Sequence, residues 1–314
     1  MHSRSCRKAP WIPLRVAFGI LLVGRLVTTA LAQAPTTTIY VSDTNIGDIF
    51  KFDAAGSRTV FATGLSAPTG LAIDSAGNLY VADAGTLSID KYDPSGAMTV
   101  FSSGGFLNQP RGLAFDSSGA LYVANANTNQ IIKIDSAGQQ TVFATNSLFN
   151  VPFGLAFDRN GFLYVSSTNG DAVYKLDSSG GATLFNNSGL AGPTGLAFDA
   201  AGNLFVANVQ GRTIERVDPA GQGTVFVANT GADPYGIAFD TTGSLYVALF
   251  NTNTIEKYDP MGQGSAFGNG LGGPYAIAIT PSIQAVPEPA TVFAAFLVSG
   301  FLVLGEVRRR KLLT

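Results

Sequence analysis

The sequence predicts an all-β protein, a six-bladed β-propeller whose ring closes when a C-terminal strand completes the N-terminal blade. Two observations support this fold class. A unit of about 41 residues recurs along the chain, and each unit contains four short segments rich in Tyr, Val, Ile and Phe between turn residues. A four-stranded sheet cannot bury both of its faces alone, so such units are expected to pack radially into a ring.

The first strand of each unit is predicted from a phrase of the form P-x-G-Φ-A-Φ, in which Φ is apolar. Its copies are PTGLAID at Pro68, PRGLAFD at Pro110, PFGLAFD at Pro152, PTGLAFD at Pro193, PYGIAFD at Pro234 and PYAIAIT at Pro274. Six copies at nearly equal spacing predict six blades.

The other three strands have phrases of their own. The second strand, typically LYVAD, begins at Ile39, Leu79, Leu121, Leu163, Leu204 and Leu245. The third ends in a basic residue, a spacer and Asp, and a TVF-like run follows in most copies as the fourth. The basic residues are Lys51, Lys91, Lys133, Lys175, Arg216 and Lys257. Their equivalent positions predict a solvated or ion-paired face, with a basic binding stripe as the alternative.

The two ends of the repeat region predict how the ring closes. The copy that begins at about Thr36 has the second, third and fourth strands but no P-x-G strand before them. The last copy, from Pro274 to Thr280, has only that strand. The two fragments add up to one blade, so their pairing would leave no open edge between the first and last blades.

Asp-x-x-Gly tetrads separate many of the predicted strands. They begin at Asp53, Asp74, Asp93, Asp116, Asp135, Asp158, Asp177, Asp199, Asp218, Asp240 and Asp259. Calcium loops place several ligands close together, as D-x-D-x-D or G-G-x-G-x-D, and neither pattern occurs. We therefore interpret the tetrads as turns, in which Asp accepts backbone N–H groups and Gly takes a positive φ.

Residues 1–32 are predicted to be a signal peptide. A basic start is followed by an apolar stretch from Val16 to Gly24 and by the small residues Ala30 and Ala32, with cleavage expected after Ala32. Arg25 interrupts the apolar run, so an uncleaved N-terminal anchor is the alternative. The predicted propeller then covers residues 36–280, and residues 281–285 form a linker.

Composition excludes several kinds of chemistry in the exported domain. The only His, Cys and Trp of the chain are His2, Cys6 and Trp11, all within the predicted leader. Ser-His-Asp triads, Cys-His pairs and His-ligated zinc are therefore excluded. Residues 33–285 carry ten Lys and Arg against 19 Asp and Glu, a net charge of −9, so nucleic acid is not an expected partner.

Residues 286–311 resemble the PEP-CTERM sorting signal of exported bacterial proteins. Its parts occur in order: Pro287, Glu288 and Pro289, then a mainly apolar segment at 290–305, then Arg308, Arg309, Arg310 and Lys311. The segment is marginally long enough to span a bilayer, and the cations would hold its end in the cytoplasm. The resemblance implies processing by an exosortase and delivery to the cell envelope or extracellular matrix of a bacterium. A permanent membrane anchor is the alternative.

Two sets of residues break the repeat symmetry and are candidate site residues. Between Pro and Gly of the first strand, at one mouth of the channel, stand Thr69, Arg111, Phe153, Thr194, Tyr235 and Tyr275. Aromatic rings and an arginine there could stack on a sugar or bind an anion, and ordinary packing is the alternative. The second set follows the YVA-like phrase of the second strand and consists of Asp43, Asp83, Asn125, Ser167, Asn208 and Leu249. This second set is expected to bond to loops between blades.

The repeated phrases resemble NHL repeats over residues 39–280. The resemblance implies a propeller that serves as a binding platform, and relatives include gluconolactonase-like hydrolases, virginiamycin B lyase-like proteins and peptide-amidating lyases. The lyases rely on His, and the hydrolases place metal-binding Asn and Asp where this chain has the channel-mouth residues. None of those six residues is a carboxylate or an amide. No cofactor is therefore predicted, although Asp43, Asp83, Asn125 and Asn208 leave room for Ca²⁺ or another divalent metal.

The sequence supports two hypotheses of function. The favoured one is an exported, non-enzymatic propeller that binds a carbohydrate, a peptide or a matrix component. The alternative is a metal-dependent gluconolactonase-like hydrolase or virginiamycin B lyase-like enzyme.

Overall fold

The computed structural model describes residues 37–145 and 147–280, which form six four-stranded antiparallel sheets. Blade 1 contains β1 (Ile39–Asp43), β2 (Asp48–Phe52) and β3 (Arg58–Ala62). Blade 2 contains β4 (Pro68–Ile73), β5 (Leu79–Asp83), β6 (Ser88–Tyr92) and β7 (Met98–Ser103). Blade 3 contains β8 (Pro110–Phe115), β9 (Leu121–Asn125), β10 (Gln130–Ile134) and β11 (Gln140–Thr145).

The remaining blades repeat this order. Blade 4 contains β12 (Pro152–Phe157), β13 (Leu163–Ser167), β14 (Ala172–Leu176) and β15 (Ala182–Asn186), with a 3-10 turn at Thr168–Gly170. Blade 5 contains β16 (Pro193–Phe198), β17 (Leu204–Asn208), β18 (Thr213–Val217) and β19 (Gly223–Val227). Blade 6 contains β20 (Pro234–Phe239), β21 (Leu245–Leu249), β22 (Thr254–Tyr258) and β23 (Gly264–Gly268). The innermost strand of blade 1 is β24 (Pro274–Ile279).

The ring closes as the sequence predicts. Strand β24 pairs antiparallel with β1, and Ile39 lies opposite Ile279. The N–H of Thr280 donates to the carbonyl of Thr38 at 2.9 Å. The innermost strand of every blade also contacts the innermost strands of both neighbouring blades, including β24 with β4 and β20. The six-bladed propeller is therefore confirmed.

The glycine of the P-x-G phrase is explained by the close approach of the innermost strands. A Cβ atom on Gly70 would lie 1.8 Å from the carbonyl oxygen of Arg111 in the next blade. On Gly154 it would lie 2.2 Å from the carbonyl oxygen of Thr194. No side chain fits at such a distance from a backbone oxygen, so β4 and β12 require glycine at this position. In β24 the equivalent residue is Ala276.

Aromatic residues at repeated positions join neighbouring blades. Tyr80 on β5 packs edge-on against Phe101 of its own outermost strand, with ring centroids 5.0 Å apart. It packs in the same way against Phe115 on the innermost strand of the next blade, at 4.9 Å. Tyr122, Tyr164 and Phe205 repeat this arrangement. The Tyr of LYVAD and the Phe of TVF therefore form the core between blades.

The Asp-x-x-Gly tetrads are turns, as predicted. The Oδ1 atom of Asp135 accepts the N–H groups of Ala137 and Gln139, each at 2.9 Å. Gly138 has a φ of +79° and donates its N–H to the Asp135 carbonyl. The other ten tetrads have the same backbone bond from Gly to Asp. These carboxylates are used to hold the turns.

The basic residues of the third strands are partly ion-paired. The Nζ atom of Lys133 lies 3.5 Å from Asp116 and 5.1 Å from the ring centroid of Tyr122. Lys91 pairs with Asp74 and Lys257 with Asp240 in the same way. This arrangement agrees with the predicted ion-paired face.

The predicted leader, linker and sorting signal lie outside the described residues. Among residues 37–145 and 147–280, no helix is long and apolar enough to cross a membrane. The apolar segment at 290–305 was not part of that range, so its predicted role stays a prediction.

Candidate ligand site at the channel mouth

The six residues between Pro and Gly lie at the start of the innermost strands, but the structure divides them into two groups. Thr69 and Thr194 are buried and turn toward the backbone. The Thr69 hydroxyl donates to the carbonyl of Pro110 in the next blade at 2.8 Å. Thr194 donates to the carbonyl of Pro234 at 3.0 Å. Both threonines therefore connect blades and do not join the other four residues.

Arg111, Phe153, Tyr235 and Tyr275 are brought together. The rings of Phe153 and Tyr275 are stacked, with centroids 5.2 Å apart and planes inclined by 25°. Tyr235 lies 5.0 Å from Tyr275 and 5.8 Å from Phe153, measured between centroids. Phe153 belongs to blade 4 and Tyr275 to blade 1, three blades away, so this contact crosses the channel axis.

A fourth ring, Phe250, joins this cluster from outside the predicted set. It follows β21 directly, and its centroid lies 5.1 Å from that of Tyr235. The equivalent residues of the other blades are Thr44, Ala84, Ala126, Thr168 and Val209. Phe250 is the single aromatic residue of this set, so comparison of the repeats one position further along the chain would have found it.

Arg111 contributes a positive charge to the cluster. Its guanidinium lies 5.1 Å from the ring centroid of Phe153. Within the described residues it makes no hydrogen bond and no ion pair. Arg212, by contrast, places Nε 2.9 Å from Asp233 Oδ1. A guanidinium over an aromatic face is stabilised by the ring but keeps its N–H donors for another partner.

The two tyrosine hydroxyls of the cluster stay protonated at neutral pH. Burial raises the pKa of Tyr275, and the charge of Arg111 only partly opposes this effect. Burial and the nearby Asp233 carboxylate raise the pKa of Tyr235, against the same arginine. Both phenols are therefore hydrogen-bond donors as well as acceptors.

The cavity below the cluster is small. Arg111, Phe153 and Tyr275 line it, together with the Φ residues, the glycines and Ala276 of the innermost strands. The Φ residues are Leu71, Leu113, Leu155, Leu196, Ile237 and Ile277. Its volume is about 70 Å³, which is enough for only a few water molecules. A larger ligand would therefore lie across the mouth and not inside the channel.

The residues that end the second strands bond to loops between blades, as predicted. The carboxylate of Asp83 accepts the N–H groups of Ser66 and Ala67, both at 2.8 Å. Asp43 accepts from Gly272 in the last inter-blade loop. Asn125, Ser167 and Asn208 bond to the preceding loop in a similar way, whereas Leu249 is apolar.

These loop bonds bear on the four candidate metal ligands, Asp43, Asp83, Asn125 and Asn208. Each already uses a side-chain oxygen to accept backbone N–H groups. The part of the chain that the structure describes contains no group of three or more His, Cys, Asp and Glu residues that could hold a metal ion. A metal role for these four residues stays a prediction.

Comparison with known proteins identifies related folds. The sequence profile of the virginiamycin B lyase family matches residues 25–285. A catalytically inactive histidine-to-alanine variant of virginiamycin B lyase from Staphylococcus aureus, solved with quinupristin, has a TM-score of 0.57 and 17% identity. That alignment covers 76% of this chain and 78% of the lyase.

Two further solved structures have the same architecture. The nidogen/laminin complex contains a chain with a TM-score of 0.71 and 20% identity, with coverage of 78% of this chain and 99% of that chain. The gluconolactonase XC5397 from Xanthomonas campestris has a TM-score of 0.60 and 19% identity, with coverage of 69% and 84%. At these identities the likeness concerns the fold. The comparison with curated proteins gave no match.

Proposed function

The chain belongs to the virginiamycin B lyase family, and from this premise we propose that it binds a ligand across the mouth of its channel. The observation that carries the proposal is the cluster of Arg111, Phe153, Tyr235 and Tyr275, drawn from four blades. Folding of the repeat does not require these residues, because Thr serves at the same position in two blades. The ligand is a carbohydrate, a peptide or a matrix component, and the protein is a binding module.

The missing histidine favours binding over lyase activity. The S. aureus lyase variant in which histidine is replaced by alanine is described as catalytically inactive. In this chain the single histidine is His2, and residues 37–280 contain none. The propeller therefore has no imidazole with which to perform chemistry of that kind.

An array of glycans, cell-envelope polymers and peptides tests the binding proposal. Replacing both Tyr235 and Tyr275 by Ala should remove binding, because stacking on these rings is lost. The double change to Phe is the matched control, since it keeps both rings and removes only the hydroxyl groups. Binding that survived the double alanine change in a folded protein would show that the site lies elsewhere.

A metal-dependent hydrolase or lyase is the second candidate. The family match and the fold shared with the X. campestris gluconolactonase favour it. Metal analysis of the purified protein, with lactone hydrolysis as the assay, tests it. Stoichiometric calcium or zinc, lost together with activity in Asp43→Ala or Asp83→Ala, would replace the binding proposal with the enzymatic one.

Export is a separate part of the proposal. Residues 1–32 would direct the chain across the membrane, and an exosortase would process the signal at 286–311 before delivery to the cell envelope or matrix. Mass spectrometry of the exported protein should find an N-terminus at Gln33 and no Arg308. Replacing Pro287, Glu288 and Pro289 by Ala should leave the tail attached. An intact tail on the unmodified exported protein would instead favour a permanent anchor.

A further inference from the structure

We propose that the ligand at the channel mouth carries a carboxylate on a sugar ring and that Arg111 binds this carboxylate. The inference rests on the proposed binding function and names the chemical class of the ligand. In this site Arg111 binds the charged group, the aromatic side chains stack on the sugar ring, and the tyrosine hydroxyls bond to the substituents of that ring.

The charge assignment comes from the partners of the basic residues. Four ion pairs occupy cations of the described residues: Lys91 with Asp74, Lys133 with Asp116, Lys257 with Asp240, and Arg212 with Asp233. Arg58 and Arg159 donate to backbone carbonyls. Lys51, Lys175 and Arg216 lie on third strands, away from the channel. Among the cations of the described residues, Arg111 alone lines the channel cavity. Its guanidinium contacts the ring of Phe153.

An unpaired guanidinium in a partly buried site is suited to a planar anion. Its N–H groups form a fork that matches the two oxygens of a carboxylate, and such charge-assisted bonds are stronger than neutral ones. Within the described residues no Asp or Glu forms an ion pair with Arg111, so the partner would come from the ligand.

The side chains around Arg111 favour a sugar over a peptide as the molecule that bears the carboxylate. Tyr235, Tyr275 and Phe250 are partly exposed at the mouth, and the buried ring of Phe153 packs against the two tyrosines. The hydroxyls of Tyr235 and Tyr275 have no hydrogen-bond partner among the described residues, so they are available to the ring hydroxyls of a sugar. A saccharide has apolar C–H faces and polar edges, which match rings and phenols respectively.

The charge of the whole domain favours a ligand with few acidic groups. Residues 37–280 carry a net charge of −9. A long polyanion would be repelled over a distance of about 8 to 10 Å at physiological salt, whereas one carboxylate seated on Arg111 is attracted locally. The small cavity also prevents a polymer from threading the channel. We therefore expect the terminal residue of an acidic chain, or a short acidic oligosaccharide, to bind best.

Calorimetric titration of the purified protein tests the inference with three probes. These are tri-galacturonic acid, its methyl ester and the neutral galactose trisaccharide. The acid should bind at least tenfold more tightly than the other two. Arg111→Gln should weaken binding of the acid by about 10- to 100-fold, as expected for a charged hydrogen bond, and should weaken binding of the ester much less. Arg111→Lys should recover part of the loss, and Arg216→Gln is the control for a general change in charge.

The possible outcomes separate this inference from the proposed function. Equal binding of acid and ester, insensitive to Arg111→Gln but lost when Tyr235 and Tyr275 become Ala, would overturn the carboxylate and preserve the site. Tighter binding of an acidic peptide that depends on Arg111 would overturn the sugar. Binding of no probe would overturn this inference and would leave the binding proposal to the array. Binding that is unchanged in all of these variants would overturn both proposals. Near-ultraviolet circular dichroism confirms that each variant is folded.

Discussion

Glu215 is an ionisable residue in a buried position, which makes it a candidate for a stabilising substitution. It lies on β18 between blades 4 and 5, and only 4% of its surface is exposed. Its carboxylate has no hydrogen bond or ion pair with the described residues, and burial raises its pKa. Nearby, Asn186 Oδ1 is buried without a partner. Both residues lie within 4 Å of the position that a Cβ atom on Gly223 would take.

Glu215→Gln is expected to stabilise the protein at neutral pH by about 0.5 to 1 kcal/mol, because the cost of partly desolvating the carboxylate is removed. The folded protein holds a proton on Glu215 more tightly than the unfolded chain. The stability of the unmodified protein should therefore fall as pH rises from the ordinary glutamate range through the raised pKa. Urea unfolding at several pH values should show no gain from Gln near pH 4 and a growing gain up to pH 7.

Glu256 provides the matched control for this prediction. It occupies the same position in blade 6, and its carboxylate accepts a hydrogen bond from the Tyr258 hydroxyl. Glu256→Gln should weaken that bond and should not stabilise the protein. A similar gain from both substitutions would mean that the missing partner of Glu215 is not the cause.

At the scale of the element, the close approach of neighbouring innermost strands determines which residues they can contain. Strands β4, β8, β12 and β16 each present a glycine whose Cβ position falls within 2.3 Å of a carbonyl oxygen in the next blade. The glycines there satisfy a requirement of ring geometry and not one of local conformation, since none of the four has a positive φ. The glycine of the P-x-G phrase is therefore explained by contacts between blades.

Gly154→Ala should destabilise the protein by about 2 kcal/mol or more, because the added methyl group would lie 2.2 Å from the carbonyl oxygen of Thr194. Ala276→Gly changes the equivalent residue of β24 in the opposite direction. It should cost only about 0.5 to 1 kcal/mol from chain entropy. Guanidinium unfolding of both variants gives the comparison, and equal costs would show that the inner strands can move apart.

At the scale of the whole molecule, the ring depends on a strand supplied from the far end of the chain. Strand β24 covers the inner edge of β1 and contacts the inner strands of blades 2 and 6. Without it, blade 1 would have three strands and an open edge, and the last contact around the ring would be lost.

A chain that stops after residue 272 should therefore unfold at a temperature lower by about 10 °C or more, given several kcal/mol of lost packing. A chain that stops after residue 285 is the control, because it keeps β24 and lacks only the segment beyond the ring. Calorimetry of both measures the difference. Equal transition temperatures would show that closure contributes little to stability.

Much of this molecule could be predicted because the repeat copies the same local pattern six times. The phrase that begins at Pro68 and returns up to Pro274 predicted the number of blades and the closing strand. The tetrads predicted the turns, since Asp and Gly act within four residues. The site was predicted less well. The residues between Pro and Gly occupy equivalent positions in the sequence, but some bond to the next blade and others face the channel.

The sequence by itself determined the blade count, the turns, the closure of the ring, and the acidic, histidine-free composition of the propeller. These follow from local periodicity and from residue counts, which need no knowledge of distant neighbours. Only the tertiary structure decided that Thr69 and Thr194 bond to the next blade while Arg111 and Phe153 face the channel. It also decided that Phe250 completes the cluster. These contacts join residues from different blades, and their distances are set by the curvature of the closed ring.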